Sequence, residues 1–276
     1  MARPTESSRT QRDVPTQRAQ EPSASESGTE EQAAQASLAT YVYGIVSADH
    51  PCVLENLDGV GEPASALRRL DAEGVSAVVS DAPPGLRAKR RDVLAHQHVL
   101  EELGRQGTVL PMRFGVVARD EDSLRQELVE DNDAHLAVLA DLAGRAEFNV
   151  KVFCDEEMLI REAALNDPSV QRLREHSDTI DERIQLGEAV AAAIEARELA
   201  IEQGVLETLA PRSTRHVRGP QVKGAAVNAS FLLDSDDAEE FVAAVEELGA
   251  ALGEEIRIQR TGPLPPYSFV SVREEE

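Results

Sequence analysis

Tryptophan is absent from this chain, and aromatic residues make up only 3% of it. Without that bulk the core must be built from Ala, Val, Leu and Ile. Such a core is compatible with abundant helix and offers few surfaces on which bases could stack. Cysteine is scarce too: Cys52 and Cys154 stand alone, with no metal-site spacing between them. The two thiols could pair, but nothing else in the sequence points to an oxidising compartment. Long apolar runs are missing. No stretch reaches the roughly 18 residues of a membrane-spanning helix, and the N-terminus lacks the apolar segment of a secretory signal. A soluble cytoplasmic protein is therefore the expectation. Cations are outnumbered: 28 Lys and Arg face 51 Asp and Glu, for a formal net charge of −23. So acidic a chain is repelled by nucleic-acid phosphates and by anionic membranes, which makes neither an expected partner. Catalytic signatures are missing as well: there is no P-loop, no G-x-G-x-x-G after a strand and no G-x-S-x-G elbow.

What is present is a length of 276 residues and an apolar fraction of 41%, enough for one large domain or two ordinary ones. Residues 1–39 are rich in Ser, Thr, Gln, Glu, Arg and Pro. They cannot bury enough surface to offset their ordering entropy, so a disordered tail is expected there. Two strands are expected at 41–46 and 74–80, joined by a loop with one helical turn. A helix over 88–103 follows, with Gly104 as its stop. A second helix is expected from Asp122 to Leu142, capped by Asp122 and ended by Gly144. The alternation in 147–153 predicts a strand with one solvated face.

Beyond it, Asp167-Pro168 marks a helix start. Another start at Ser177 or Asp178 opens a long helix to about Thr208. Ile180, Ile184, Gly187, Ala191, Ile194, Ile201 and Val205 share one face of that helix, and Gly187 is read as a site of close packing. A loop over 211–224, a strand over 226–233, a helix over 236–252 and a strand over 255–261 complete the pattern. An extended Gly262–Phe269 segment closes the chain. The β-α-β-α-β series from 147 onward suits a ferredoxin-like sandwich. The fold class is thus α+β, with a tail at 1–39, one α+β domain at 40–120 and a ferredoxin-like α+β domain at 121–276.

The segment Val109-Leu110-Pro111-Met112-Arg113-Phe114-Gly115-Val116-Val117 stands out. It reads as a buried strand that Pro111 stops and redirects. Arg113, in apolar surroundings, needs a partner or water. A structural ion pair with Glu101 or Glu102 is favoured over an anion receptor. His96 lies on the apolar face of its helix and reads as a hydrogen-bonded core histidine rather than a metal ligand, since His98, two residues on, points elsewhere. His135, His176 and His216 are isolated. The run Pro211–Lys223 carries Arg212, Arg215, Arg218 and Lys223 and no acid; a solvated loop or pairing within the chain is favoured over docking an acidic partner.

Five pieces taken in order resemble the gas vesicle protein GvpL/GvpF family. They are Tyr41–Val46, Leu94–Glu101 around His96, Val109–Gly115 with its L-P-[ML]-R-F-G core, Glu147–Phe153, and Gly262–Phe269. Leu264 departs from the aromatic that the family pattern favours at that point. The resemblance covers about residues 41–270. It implies a non-enzymatic accessory protein of gas vesicle formation, found in the cytoplasm and at the vesicle, with two α+β domains, the second a modified ferredoxin-like fold. Its implied partners are the small hydrophobic shell protein and other gas vesicle accessory proteins. It brings no catalytic residue, metal or cofactor. Tyr41, Val42, Tyr43, His96, Arg113, Phe114, Arg215 and Arg218 are the candidate partner-binding or interdomain residues. The strand at 41–46 is expected to be an edge that could capture the shell protein by β-augmentation. The rival expectation is a regulatory module that binds a small molecule through its ferredoxin-like domain.

Overall fold

A computed structural model of the chain describes residues 39–176 and 178–270. All but the last residue of the expected disordered tail, and the candidate helix start Ser177, lie outside the described residues. Strands β1 (Thr40–Ser47), β2 (Arg68–Asp71), β3 (Val75–Asp81), β4 (Val109–Pro111) and β5 (Val117–Ala118) form one antiparallel sheet. Its order is β2-β3-β1-β4, with β5 also pairing with β1. β2 falls where a loop was expected; its four residues, Arg-Arg-Leu-Asp, are too polar and too few to show a strand pattern.

β1 is the axis of this sheet, and all of it but Ser47 is buried. Its register against β3 shifts between Val42 and Gly44. The extra residue changes which side chains share a face. Tyr41, Tyr43 and Val46 pack with Val99, Leu100 and Leu103 of α1 (Arg90–Gln106). Val42 and Ile45 face the other way, onto Leu124 and Leu128 of α2 (Glu121–Glu130) and Leu139 and Leu142 of α3 (Asn132–Leu142). A Cβ on Gly44 would lie 2.9 Å from both Leu100 and Val109, so only glycine fits the shift.

Helix ends differ from expectation in physically simple ways. α1 continues past Gly104 and ends at Gly107, whose N–H returns to the Leu103 carbonyl. The expected single helix over 122–142 breaks at Asp131 into α2 and α3. Its cap is Asp120 rather than Asp122, because Asp120 Oδ1 accepts from the Ser123 N–H at 2.7 Å in a reciprocal box. The four leucines place these helices in the core beneath the first sheet.

The second sheet is built from β6 (Arg145–Cys154), β7 (Arg215–Arg218), β8 (Ala225–Asp234) and β9 (Ile256–Leu264), in the order β7-β8-β6-β9 with all neighbours antiparallel. Helices α4 (Glu156–Asn166), α5 (Pro168–Arg174) and α6 (Ile180–Leu209) follow β6, and α7 (Ala238–Leu252) joins β8 to β9. β7 was expected to be loop: it is an edge strand whose four residues are all exposed, so no apolar alternation marks it. With β7 included, the strands of this half read β-α-β-β-α-β with spatial order four-one-three-two, the ferredoxin-like arrangement. Phe148, Val150 and Val152 of β6 and Phe231 and Leu233 of β8 pack under Ile201, Val205 and Phe241.

Thr179 caps α6 through a capping box with Glu182. The expected apolar face of α6 is buried only in its second half. Ile180 and Ile184 are 71% and 55% exposed, and a Cβ on Gly187 would meet nothing within 4 Å. The reason is length: the 30 residues of α6 span about 45 Å, against about 33 Å for β6. α6 also packs on α4 and α5. Finally, β9 runs on to Leu264, and Tyr267–Phe269 make a single 3₁₀ turn instead of continuing extended. That turn returns to the first sheet, placing Tyr267 against the Tyr41 cluster and Phe269 against Val42, Leu110 and Leu232.

Candidate functional site

The stretch Val109–Val117 leaves β1 and comes back to it. β4 pairs with the later half of β1, and Met112 N–H donates to the Tyr43 carbonyl at 2.9 Å. The chain then swings out through Arg113, Phe114 and Gly115. It returns where Val42 N–H donates to the Val116 carbonyl at 3.0 Å, and β5 pairs with Tyr41 and Thr40. Pro111 closes β4, and Gly115 supplies the positive φ (+94°) that the return requires.

Two buried side chains hold this loop from beneath. Gly115 N–H donates to Tyr41 Oη at 3.2 Å. Tyr41 Oη lies 2.9 Å from His96 Nδ1, and His96 Nε2 lies 3.0 Å from the Met112 carbonyl. The Met112 carbonyl can only accept, so Nε2 carries the proton and Nδ1 accepts from the Tyr41 hydroxyl. Burial drives both groups toward neutrality: it lowers the His96 pKa and raises that of Tyr41 well above the ordinary phenol value. The His96 ring stacks on Tyr43 at 5.5 Å and meets Phe114 edge-on at 5.7 Å. Every polar atom of the relay thus has a partner, and the relay holds the backbone of the loop at Met112 and Gly115.

What the loop presents is different. Arg113 is exposed, and its side chain forms no hydrogen bond or ion pair with the described residues. The expected pairing with Glu101 or Glu102 is not made, because Glu102 is taken by Arg105 on the same helix. Val116 and Val117 are 38% and 43% exposed. A free guanidinium beside two exposed valines, on a loop pinned at Met112 and Gly115, can recognise an apolar surface that carries a carboxylate or carbonyl.

The other candidates divide cleanly. Tyr41, Val42 and Tyr43 are buried inside the sheet. The expectation that 41–46 is an edge is overturned, since β3 covers one side of β1 and β4 with β5 covers the other. With His96 and Phe114 these tyrosines form one cluster, whereas Arg215 and Arg218 lie on β7 in the second sheet. Arg215 pairs with Asp141 at 2.5 Å and stands 5.7 Å over the Phe269 ring. Arg218 pairs with Glu202 at 2.7 Å and Arg212 with Glu240 at 3.9 Å. Three of the four cations of that run are thus satisfied within the chain. Val116 and Val117 escaped sequence reasoning because apolar residues after a strand read as core.

A cleft of about 470 Å³ lies between α1, β4, the start of β6 and the Pro263–Pro266 segment. Its charged walls are Glu101, Arg105 and Arg145. Both arginines are already paired, Arg105 with Glu102 and Arg145 with Asp141 and Asp234. Among the described residues, no group of three or more His, Cys, Asp and Glu side chains could hold a metal ion. No helix among them is long and apolar enough to cross a membrane.

Comparison with known proteins adds the family. The family model described as "Gas vesicle synthesis protein GvpL/GvpF" matches residues 39–271. Gas vesicle protein F of Streptomyces sp. (strain CB03234) is 40% identical over 238 residues, covering 84% of this chain and all of that protein. Gas vesicle protein L of the same strain is 29% identical over 262 residues, covering 86% of this chain and 94% of that one. The crystal structure of GvpF from Microcystis aeruginosa superposes with a TM-score of 0.72 at 25% identity, over 86% of this chain and all of that one. That of GvpF from Anabaena sp. PCC7120 gives 0.74 at 24% identity with the same coverage and supports the fold.

Proposed function

Because this chain belongs to the GvpL/GvpF family of gas vesicle synthesis proteins, we propose that it is a non-catalytic assembly factor that binds the small hydrophobic shell protein. Other gas vesicle accessory proteins are its further partners, and it acts in the cytoplasm and at the growing vesicle. Met112–Val117 is the recognition loop. The observation that carries this reading is the free, exposed Arg113 beside Val116 and Val117 on a loop anchored through Tyr41 and His96. An unassembled shell protein offers apolar surface that tends to aggregate. A strongly acidic protein that caps such a surface keeps it dispersed until it adds to the wall. Capture by the edge of β1 is replaced here by capture through the loop.

The test is pressure-sensitive light scattering from cells carrying a vesicle gene set with and without this protein. Loss of collapsible scattering on deletion, restored by the wild-type protein, supports the assembly role. Restoration by an Arg113→Glu, Val116→Glu variant as well would remove the loop from it. The rival, a ligand-binding regulatory module, has the cleft beside Thr108 and Arg145 in its favour. It requires a saturable thermal shift with a small molecule.

A further inference from the structure

The ferredoxin-like sheet has one face under its helices and one that is largely open. Phe148, Val150, Val152, Val227, Ala229, Ile256 and Ile258 belong to the helix-side core. Alternation therefore turns Asn149, Lys151, Phe153, Asn228, Arg257 and Gln259 to the opposite face. The register places Thr261 beside Asn149 and Val217 beside Ser230 on that face. One end is covered, where Ser268 bonds to Glu147 and Ser230. Beyond that end Arg257, Gln259, Thr261 and Val217 are exposed, and Asn149, Lys151 and Phe153 are half-buried.

The charge of this face is opposite to that of the protein. Its acids are Glu147, buried and occupied by Ser268, and Asp234, paired with Arg145 at 3.1 Å. The Lys151 side chain has no hydrogen bond or ion pair among the described residues. The Arg257 side chain has no ion pair or hydrogen bond among the described residues, and its guanidinium stands 4.3 Å over the Phe153 ring. In a chain of net charge −23, two uncompensated cations on an otherwise amide and hydroxyl surface call for an anionic occupant. Lys151 pairs with Gln259 and Phe153 with Arg257, which makes Lys151 and Arg257 diagonal neighbours. Diagonal neighbours stand about 7–8 Å apart. Same-face side chains of an extended peptide repeat at about 6.7 Å.

We propose that this open face docks an extended acidic segment of a partner protein, with carboxylates at alternate positions meeting Lys151 and Arg257. A nucleic acid fits less well. Among the described strand residues of this face the one aromatic ring, Phe153, is already covered by Arg257, which leaves no free ring for a base to stack on, and the net charge repels a phosphate chain.

The experiment is fluorescence anisotropy with the full chain and a labelled eight-residue peptide of alternating Glu and Thr. Saturable binding is expected, weakened about tenfold in a Lys151→Gln, Arg257→Gln variant and unchanged in Arg119→Gln. A peptide of the same composition with its four Glu in one block should bind more weakly. Equal binding of the two peptides, equal binding by the variant, or no saturation overturns the proposal. So does tighter binding of a single-stranded oligonucleotide, which would assign the face to nucleic acid. Should the double variant lose its circular dichroism signal, the single exposed Arg257→Gln change decides by the same criteria.

Discussion

Ser268 reaches across 121 positions of sequence to donate twice into the Glu147 carboxylate, through its N–H at 2.8 Å and its hydroxyl at 2.7 Å. Its neighbours on either side enter the first sheet, Tyr267 by the Tyr41 cluster and Phe269 beside Val42 and Leu110. Three consecutive residues thus tie β6 of the second sheet to both cores of the first. Glu147 is 3% exposed, so each bond its carboxylate accepts replaces water it has lost.

Ser268→Ala removes the hydroxyl and leaves Glu147 Oε1 short of its donor. The expected cost is about 1–3 kcal/mol, read from the midpoint of urea unfolding at neutral pH. A midpoint indistinguishable from wild type would mean that solvent reaches Glu147 and that the tie is weak.

Tyr41→Phe should cost a similar amount, roughly 2–3 kcal/mol, because His96 Nδ1 loses its donor and Gly115 N–H its acceptor together. The sharper readout is hydrogen exchange at the Gly115 amide, which should quicken far more than amides in α7. Uniform quickening throughout the chain would instead indicate global destabilisation without release of the loop.

Strands with apolar alternation and helices with an apolar face were readable from the sequence: β1, β3, β6, β8, α1 and α7 all lie close to their expected positions. β2 and β7 were not, since an edge strand such as Arg215–Arg218 is exposed along its whole length and leaves no pattern. The central position of β1 was hidden for a related reason. Its aromatic and β-branched run shows burial, but which strands flank it is settled by partners 28 (Ser47 to Val75) to 78 (Thr40 to Ala118) positions away. The motif around Pro111 and Gly115 was visible as an anomaly. Its support by Tyr41 and His96 was not, because hydrogen bonds between distant segments leave no spacing in the sequence.

Stability should fall as acid protonates the buried histidines. Burial lowers the pKa of His96, and those of His50 and His135 move the same way for the same reason. The unfolded chain therefore takes up these protons first, near the ordinary value of about 6.5. Stability is complete above that pH and is lost as pH drops from it toward the lower folded values. Carboxylates such as Asp92, held low chiefly by the Gly61 N–H, contribute their loss only in stronger acid. Melting temperature measured from pH 8 to pH 5 should be flat at first and then decline below about 6.5. A flat profile throughout would show that the imidazoles titrate freely in the folded state.

Gly187→Ala should stabilise the protein. Gly187 lies within α6, a Cβ there would meet nothing within 4 Å, and its φ is not in the left-handed region. Alanine in a helix interior is favoured over glycine by about 1 kcal/mol, so the urea midpoint should rise. A fall would show that the overhanging part of α6 packs against something in solution.

Arg113→Ala separates folding from recognition. The guanidinium touches no described partner and its backbone is held by Met112 and Gly115, so its removal should change stability by no more than about 0.5 kcal/mol. A side chain with no structural task, on a loop held by two buried ones, is free to serve a partner. Collapsible light scattering should therefore be lost in cells that carry only the Arg113→Ala protein, at wild-type protein level and melting temperature. His98→Ala, an exposed change on α1, serves as the matched control and should retain the signal. If Arg113→Ala assembles vesicles normally, recognition lies elsewhere. If it unfolds instead, the loop carries stability that its lack of contacts does not account for.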